Sequence, residues 1–150
     1  MFSKVRTLMA GVAVVGAFAL SACGGGGGGG GGGGLTLDTG DAISFKETSL
    51  SAAANTPVTL TYNNKSAGLQ HNFVLVKGGD DVAAEVNTAG QGEADYVPKG
   101  NENVLAAGTV LDSGKSETIN IPALPAGTYT YICTFPAHYD AGMKGTLTVK

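Results

Sequence analysis

The run Tyr129-Thr-Tyr-Ile-Cys133-Thr-Phe-Pro-Ala-His138-Tyr-Asp-Ala-Gly-Met143-Lys-Gly-Thr-Leu-Thr-Val-Lys150 decides how the chain is read. An alternating segment leads into Cys133. A compact loop then presents His138 and Met143 at Cys-x4-His-x4-Met spacing, and a second alternating segment ends the sequence. A period of two is the pattern of a strand with one buried face. One thiolate, one imidazole and one thioether on a single short loop suit a copper ion that changes valence. Soft sulfur ligands favour Cu(I), and imidazole serves either oxidation state. The loop lacks a second imidazole, which the rest of the chain has to supply.

Working outward, the same period recurs from Leu35. Candidate strands fall at 42–46, 49–53, 58–63, 71–77, 108–111, 115–121, 127–133 and 145–149. Val58, Leu60 and Tyr62 alternate with Thr59 and Thr61; Ile119 and Ile121 alternate with Thr118 and Asn120. One apolar and one Thr-rich face per strand is what half-buried antiparallel strands require. Asn63-Asn64, Gly78-Gly79, Ser113-Gly114 and Pro125-Ala-Gly127 punctuate them as turns. Seven or eight short strands with regular turns predict an all-β sandwich. The exception is the acidic start Asp80-Asp-Val-Ala-Ala-Glu-Val86, which predicts one short helical flap, followed by open loop over 90–100. Covering an open sheet edge is the simplest role for such a flap.

Upstream, residues 1–23 read as an export signal. Lys4 and Arg6 precede an apolar run, Leu8 to Leu20, that is short for a membrane span and suits a signal core. The run ends in Leu20-Ser-Ala-Cys23, a lipobox-like motif that would make Cys23 a lipid-anchored N-terminus. Ordinary cleavage near Ala22 and a retained signal anchor are the other outcomes. Gly24 to Gly34 is an unbroken glycine block, eleven of the 25 glycines. It reads as a flexible tether with an r.m.s. span of roughly 17–20 Å. The remainder, 35–150, has the composition of one globular domain.

Charge and cysteine usage exclude several functions. From residue 35 onward there are seven Lys and no Arg against twelve Asp plus Glu, a formal charge of −5. No basic patch exists to bind nucleic acid. The two cysteines are Cys23 and Cys133, and Cys23 falls in the signal, so Cys133 has no structural partner in the domain. A lone thiol in an exported protein calls for an explanation.

The chain has only two histidines, His71 and His138, and its only methionine outside the signal is Met143. The domain thus carries one His2Cys-Met set with nothing left over, the ligand pattern of blue copper. Taken singly, a histidine at a strand start is usually structural and a methionine is usually core filler. Their conjunction on one loop and one neighbouring strand favours a metal. Zinc seldom recruits a thioether. An enzymatic role fits poorly: no imidazole remains for a second copper centre, and Cys-His catalysis would leave Met143 without a part.

Cys133-Thr-Phe-Pro-Ala-His138 followed by Met143-Lys-Gly-Thr-Leu resembles the copper loop of azurins, and His71-Asn-Phe-Val-Leu resembles their first-histidine strand. The extra residue before Met143, Gln70 before His71 and the glycine-rich N-terminus are closer to the auracyanins, the membrane-associated blue copper proteins of filamentous anoxygenic phototrophs. The resemblance covers roughly 35–150 and carries little over 80–103. It implies a cupredoxin-like Greek-key sandwich, with His71, Cys133 and His138 as strong copper ligands and Met143 as the distant axial one. It also implies a weak axial oxygen from the Gln70 carbonyl. Asn72 would brace the loop through Thr134, and the Asn72 and Phe135 N–H groups would reach the Cys133 sulfur. Such hydrogen bonds weaken the thiolate as a donor and raise the potential. The implied function is single-electron shuttling on the outer (periplasmic) face of the cytoplasmic membrane, between a membrane quinol-oxidising complex and a c-type cytochrome, in a photosynthetic or respiratory chain. The alternative is an extracytoplasmic copper carrier.

Overall fold

The computed structural model describes residues 33–150. The export signal, Cys23 and all but the last two residues of the glycine tether lie outside the described residues. Among the described residues, no helix is long and apolar enough to cross a membrane.

Two sheets face each other. The smaller has the order β1-β3-β6, from Leu35–Asp38, Val58–Asn63 and Ser116–Ile121. The larger has the order β2-β8-β7-β4-β5, from Ser49–Ala52, Lys144–Val149, Gly127–Ile132, Val74–Val76 and Val104–Ala107. The alternation has its expected meaning. Leu60 and Tyr62 of β3, Ile119 and Ile121 of β6, and Leu147 and Val149 of β8 are all buried in one core between the sheets. Phe45, Tyr62, Phe73 and Tyr131 form an aromatic cluster there, with Phe45 edge-on to Tyr131 at 5.3 Å between centroids.

Four details depart from the sequence-based expectation. The segment 42–46 is not a strand. Its backbone closes local bonds, Gly40 N to Ser44 O and Ser44 N to Ala42 O, and only Phe45 bridges to Thr39. The strand in this region is β1 instead. The segment 108–111 likewise yields to β5 just before it, and Leu111 keeps a single bridge to His71. Two pairings, β1 with β3 and β2 with β8, are parallel. Alternation reports which face of a strand is buried and is silent on the direction of its neighbour. Finally, helix α1, Asp80–Gly90, is longer than its acidic start suggests and covers a face rather than an edge. Ala83 and Val86 pack on Val74, Val76 and Ile132 of the large sheet's outer surface. That is why β4 is buried on both faces.

Tyr131 shows how closely the layers fit. Its ladder partner on β8 is Gly145, and a Cβ there would run into the Tyr131 ring. Its hydroxyl donates to the Glu47 carbonyl at 2.6 Å. Tyr131→Phe keeps the ring and removes that bond. It should cost about 1 kcal/mol, read as a lower urea midpoint at unchanged slope.

The strand directions give the sandwich two distinct poles. β3 ends, β7 ends and β8 begins at one pole, where the segment to His71 and the loop from Cys133 to Met143 lie. Gly34 sits at the other pole, against Thr59 and close to Ala52 and Val58. Six residues of β7 separate the two, roughly 20 Å at strand rise.

Candidate metal centre

Each candidate ligand is held by backbone pairing that the sequence places locally. His71 lies in a short bridge whose two bonds run His71 N to Leu111 O at 3.1 Å and Leu111 N to His71 O at 2.8 Å. Cys133 follows the last residue of β7 and donates its N–H to Met143 O at 3.1 Å, closing the loop at its base. Inside the loop, His138 N donates to Phe135 O and Met143 N to His138 O, both at 3.0 Å. Ala137 takes positive φ, 68°, to make that tight path.

The side chains converge. His71, Cys133 and His138 bring one donor atom each to within 4.8 Å of one another. His71 Nδ1 lies 3.9 Å and His138 Nδ1 3.4 Å from Cys133 Sγ, and the two imidazole centroids are 4.7 Å apart. His71, Cys133 and Met143 are fully buried, and Met143 belongs to the same core cluster as Cys133. His138 is buried as well but, at 5% exposure, is the only one of the four with any accessible surface. Among the described residues His71 Nε2 is buried without a partner, and the residue is held by its backbone bridge to Leu111.

Burial sets the protonation states. It pushes His71 down to about 4, helped by the neighbouring His138, and lowers His138 as well. Both rings are therefore neutral near pH 7, with lone pairs free to coordinate. Burial pushes the Cys133 thiol up to about 11, while the Asn72 and Phe135 N–H groups pull it back. A cation in the cluster would replace the thiol proton, since metal ligation requires the thiolate. Two neutral imidazoles, a buried thiol and a thioether fit copper by donor chemistry.

The surrounding residues lock the loop. Asn72 N–H points at Cys133 Sγ at 3.5 Å. The Asn72 amide spans Thr134: Oδ1 accepts from Thr134 N, and Nδ2 donates to Thr134 Oγ1, both at 2.8 Å. The Gln70 side chain faces away, exposed, and donates to Asp112 at 2.7 Å. Phe135 lies between His138, tilted against it at 4.9 Å, and Tyr96, edge-on at 5.3 Å.

The family profile described as copper binding proteins, plastocyanin/azurin family, matches residues 33–150. The chain belongs to the plastocyanin/azurin family. Within the family it is 37% identical to auracyanin-A of Chloroflexus aurantiacus, over 97% of both chains. It is 54% identical to auracyanin-B of the same organism, over 73% of this chain and 48% of that one. The chain thus spans about half the length of auracyanin-B. Among solved structures, the dithionite-reduced auracyanin of Roseiflexus castenholzii superposes with a TM-score of 0.74 at 38% identity, covering 77% of this chain and 95% of that one. The family's cofactor is copper, and His71, Cys133, His138 and Met143 make a site of type 1 copper composition.

Three residues near this plastocyanin/azurin-type site escape a reading of the sequence. Asn64 reads as turn punctuation, yet it is buried and its Nδ2 donates to Leu111 O at 2.8 Å, the same carbonyl that receives His71 N–H. Gln91 and Tyr96 fall in a stretch with no period. Gln91 Nε2 donates to Thr134 O at 2.9 Å, and Tyr96 meets Phe135. No local pattern announces either contact, because each is made across the fold.

Proposed function

We propose that this protein is a type 1 blue copper carrier of single electrons. The observation that supports it is the buried convergence of His71, Cys133 and His138 within 4.8 Å, with buried Met143 tied through its backbone to Cys133 and His138. In this reading the first three residues would hold the ion, with the Met143 thioether as a weaker ligand and the Gln70 carbonyl as a weaker oxygen donor still. Copper supplies one-electron exchange between Cu(II) and Cu(I) when bound. The chain's own contribution is rigidity. Bracing of the loop by Asn72 holds the Cys133 side chain in one place for both valences. The Asn72 and Phe135 N–H groups take up negative charge on the sulfur. Burial of His71, Cys133 and Met143 excludes water. His138 alone reaches the surface, beside exposed Pro136 and Ala137, and its ring edge is the route for the electron.

The wider reading follows the auracyanin likeness. The signal, the lipobox at Cys23 and the glycine block support a tethered protein outside the cytoplasmic membrane. Its exchange partners are a membrane quinol-oxidising complex and a c-type cytochrome, and it performs no enzymatic turnover. The test is the visible spectrum of the Cu(II)-loaded protein before and after ascorbate. An intense thiolate-to-copper band that bleaches and returns on reoxidation supports the shuttle. A weak band with copper bound would overturn it and turn attention to copper delivery.

A further inference from the structure

We propose that Asn64 is a positioning residue for His71: its buried side-chain amide ties together the Leu69 and Leu111 carbonyls and presets this ligand before copper arrives. The proposal rests on the blue copper reading. His71 is the one histidine outside the Cys133–Met143 loop, so its place depends on a separate segment. Between the end of β3 at Asn63 and the His71 bridge, that segment forms no regular strand. Asn64 opens it and is itself firmly seated. Its N–H donates to Lys115 O, and its carbonyl accepts from Gly114 N–H, both at 2.8 Å.

From that seat the side chain reaches both neighbours of the histidine. Asn64 Nδ2 donates to Leu69 O and to Leu111 O, each at 2.8 Å. Leu69 lies two residues before His71, and Leu111 O is the carbonyl that receives His71 N–H. Two carbonyl oxygens repel each other when brought together, and an NH2 group carries one hydrogen for each. The other end of the amide is equally engaged. Asn64 Oδ1 accepts from the Thr39 hydroxyl at 3.1 Å, from Ser66 N–H at 3.1 Å and from the Ser66 hydroxyl at 2.6 Å. Ser66 N–H can only donate and the two carbonyls can only accept, so the amide has a single orientation. Asn64 is 1% exposed, and solvent does not compete for these bonds.

Two variants separate positioning from mere support. Asn64→Asp keeps the shape and the acceptor oxygen and removes the NH2 group. Thr39→Val removes a buried hydroxyl from the oxygen end of the same network and leaves Nδ2 on both carbonyls. The first readout is amide hydrogen exchange by NMR in the metal-free protein, as the rate at His71 over that at Leu147 in the core of β8. Global unfolding exposes both amides together, so a mere loss of stability does not raise this ratio. The second readout is the rate at which the Cu(II)-loaded protein loses copper to EDTA. Asn64→Asp should raise both about three- to tenfold, the range of one lost hydrogen bond. Thr39→Val should leave both near the parent's. If Asn64→Asp does not fold, Asn64→Ser, smaller and uncharged, is measured in its place. If the exchange ratio or the copper loss stays unchanged, or Thr39→Val raises them as far, Asn64 does not position His71. If the parent protein with copper bound shows no intense charge-transfer band, the blue copper reading fails instead, while the exchange ratio still reports on Asn64.

Discussion

In His138→Gly, the intense thiolate-to-copper absorption should disappear, and millimolar imidazole should restore it. The two histidines predict opposite behaviour here, although each would supply one imidazole. His138 lies on the loop and is 5% exposed, between exposed Ala137 and half-buried Tyr139. Removing its ring opens a ring-sized channel from solvent to Cys133 Sγ, which His138 Nδ1 approaches at 3.4 Å. Free imidazole can enter by that route and replace the lost donor. His71 is fully buried, and its backbone is fastened to Leu111 on both sides. His71→Gly leaves a closed cavity, and added imidazole should restore little of the band. Absorption and paramagnetic resonance titrations of both variants check this. Equal rescue of the two, or no rescue of His138→Gly, would contradict the assignment of His138 as the solvent-side ligand.

Asn72→Leu should destabilise the metal-free protein by about 3 kcal/mol and shift the copper couple toward Cu(II). Asn72 is fully buried, and its side chain makes two 2.8 Å bonds to Thr134 and a longer one to Asp95 O. Leucine fills similar space but leaves Thr134 N–H buried and unpaired, a penalty of about 1–3 kcal/mol by itself. The freed loop then holds the Cys133 sulfur less firmly against the Asn72 backbone N–H, 3.5 Å away, so the thiolate becomes the stronger donor. Thr134→Val removes only the hydroxyl partner and should cost about 1 kcal/mol. In the double variant the two losses should fall short of their sum, because both act on one shared contact. Denaturation midpoints and redox titration supply the measurements. Strict additivity would mean the brace does not act as a unit.

Much of the fold was legible because it is written locally. Alternation at Val58, Leu60 and Tyr62 and at Leu147 and Val149 names the buried face of each strand, and the structure buries those residues. The copper-loop residues were legible for another reason. Cys133, His138 and Met143 are close in sequence, and His71 was the only other histidine. What escaped the sequence depends on where the chain goes next. The parallel direction of β1 and β2 is set by the crossing between sheets. The strand at Leu35–Asp38 was masked by apolar Ile43 and Phe45 downstream, which anchor a turn-rich segment. Asn64 and Gln91 look like ordinary polar residues at a turn and a helix end. Their partners, Leu111 and Thr134, lie more than forty residues away.

The parallel pairing of β1 with β3 fixes the compass bearing of the molecule. Leu35 enters beside Leu60, at the pole opposite Cys133 and roughly 20 Å from it. A domain leashed at its N-terminus would therefore float with His138 uppermost, turned to the bulk phase. A soluble acceptor could meet that upper face directly. A donor embedded in the anchoring surface would require the domain to capsize, and the length of the glycine leash would set how freely it can do so. Shortening the leash should then slow electron uptake from the surface while sparing delivery to the solution side.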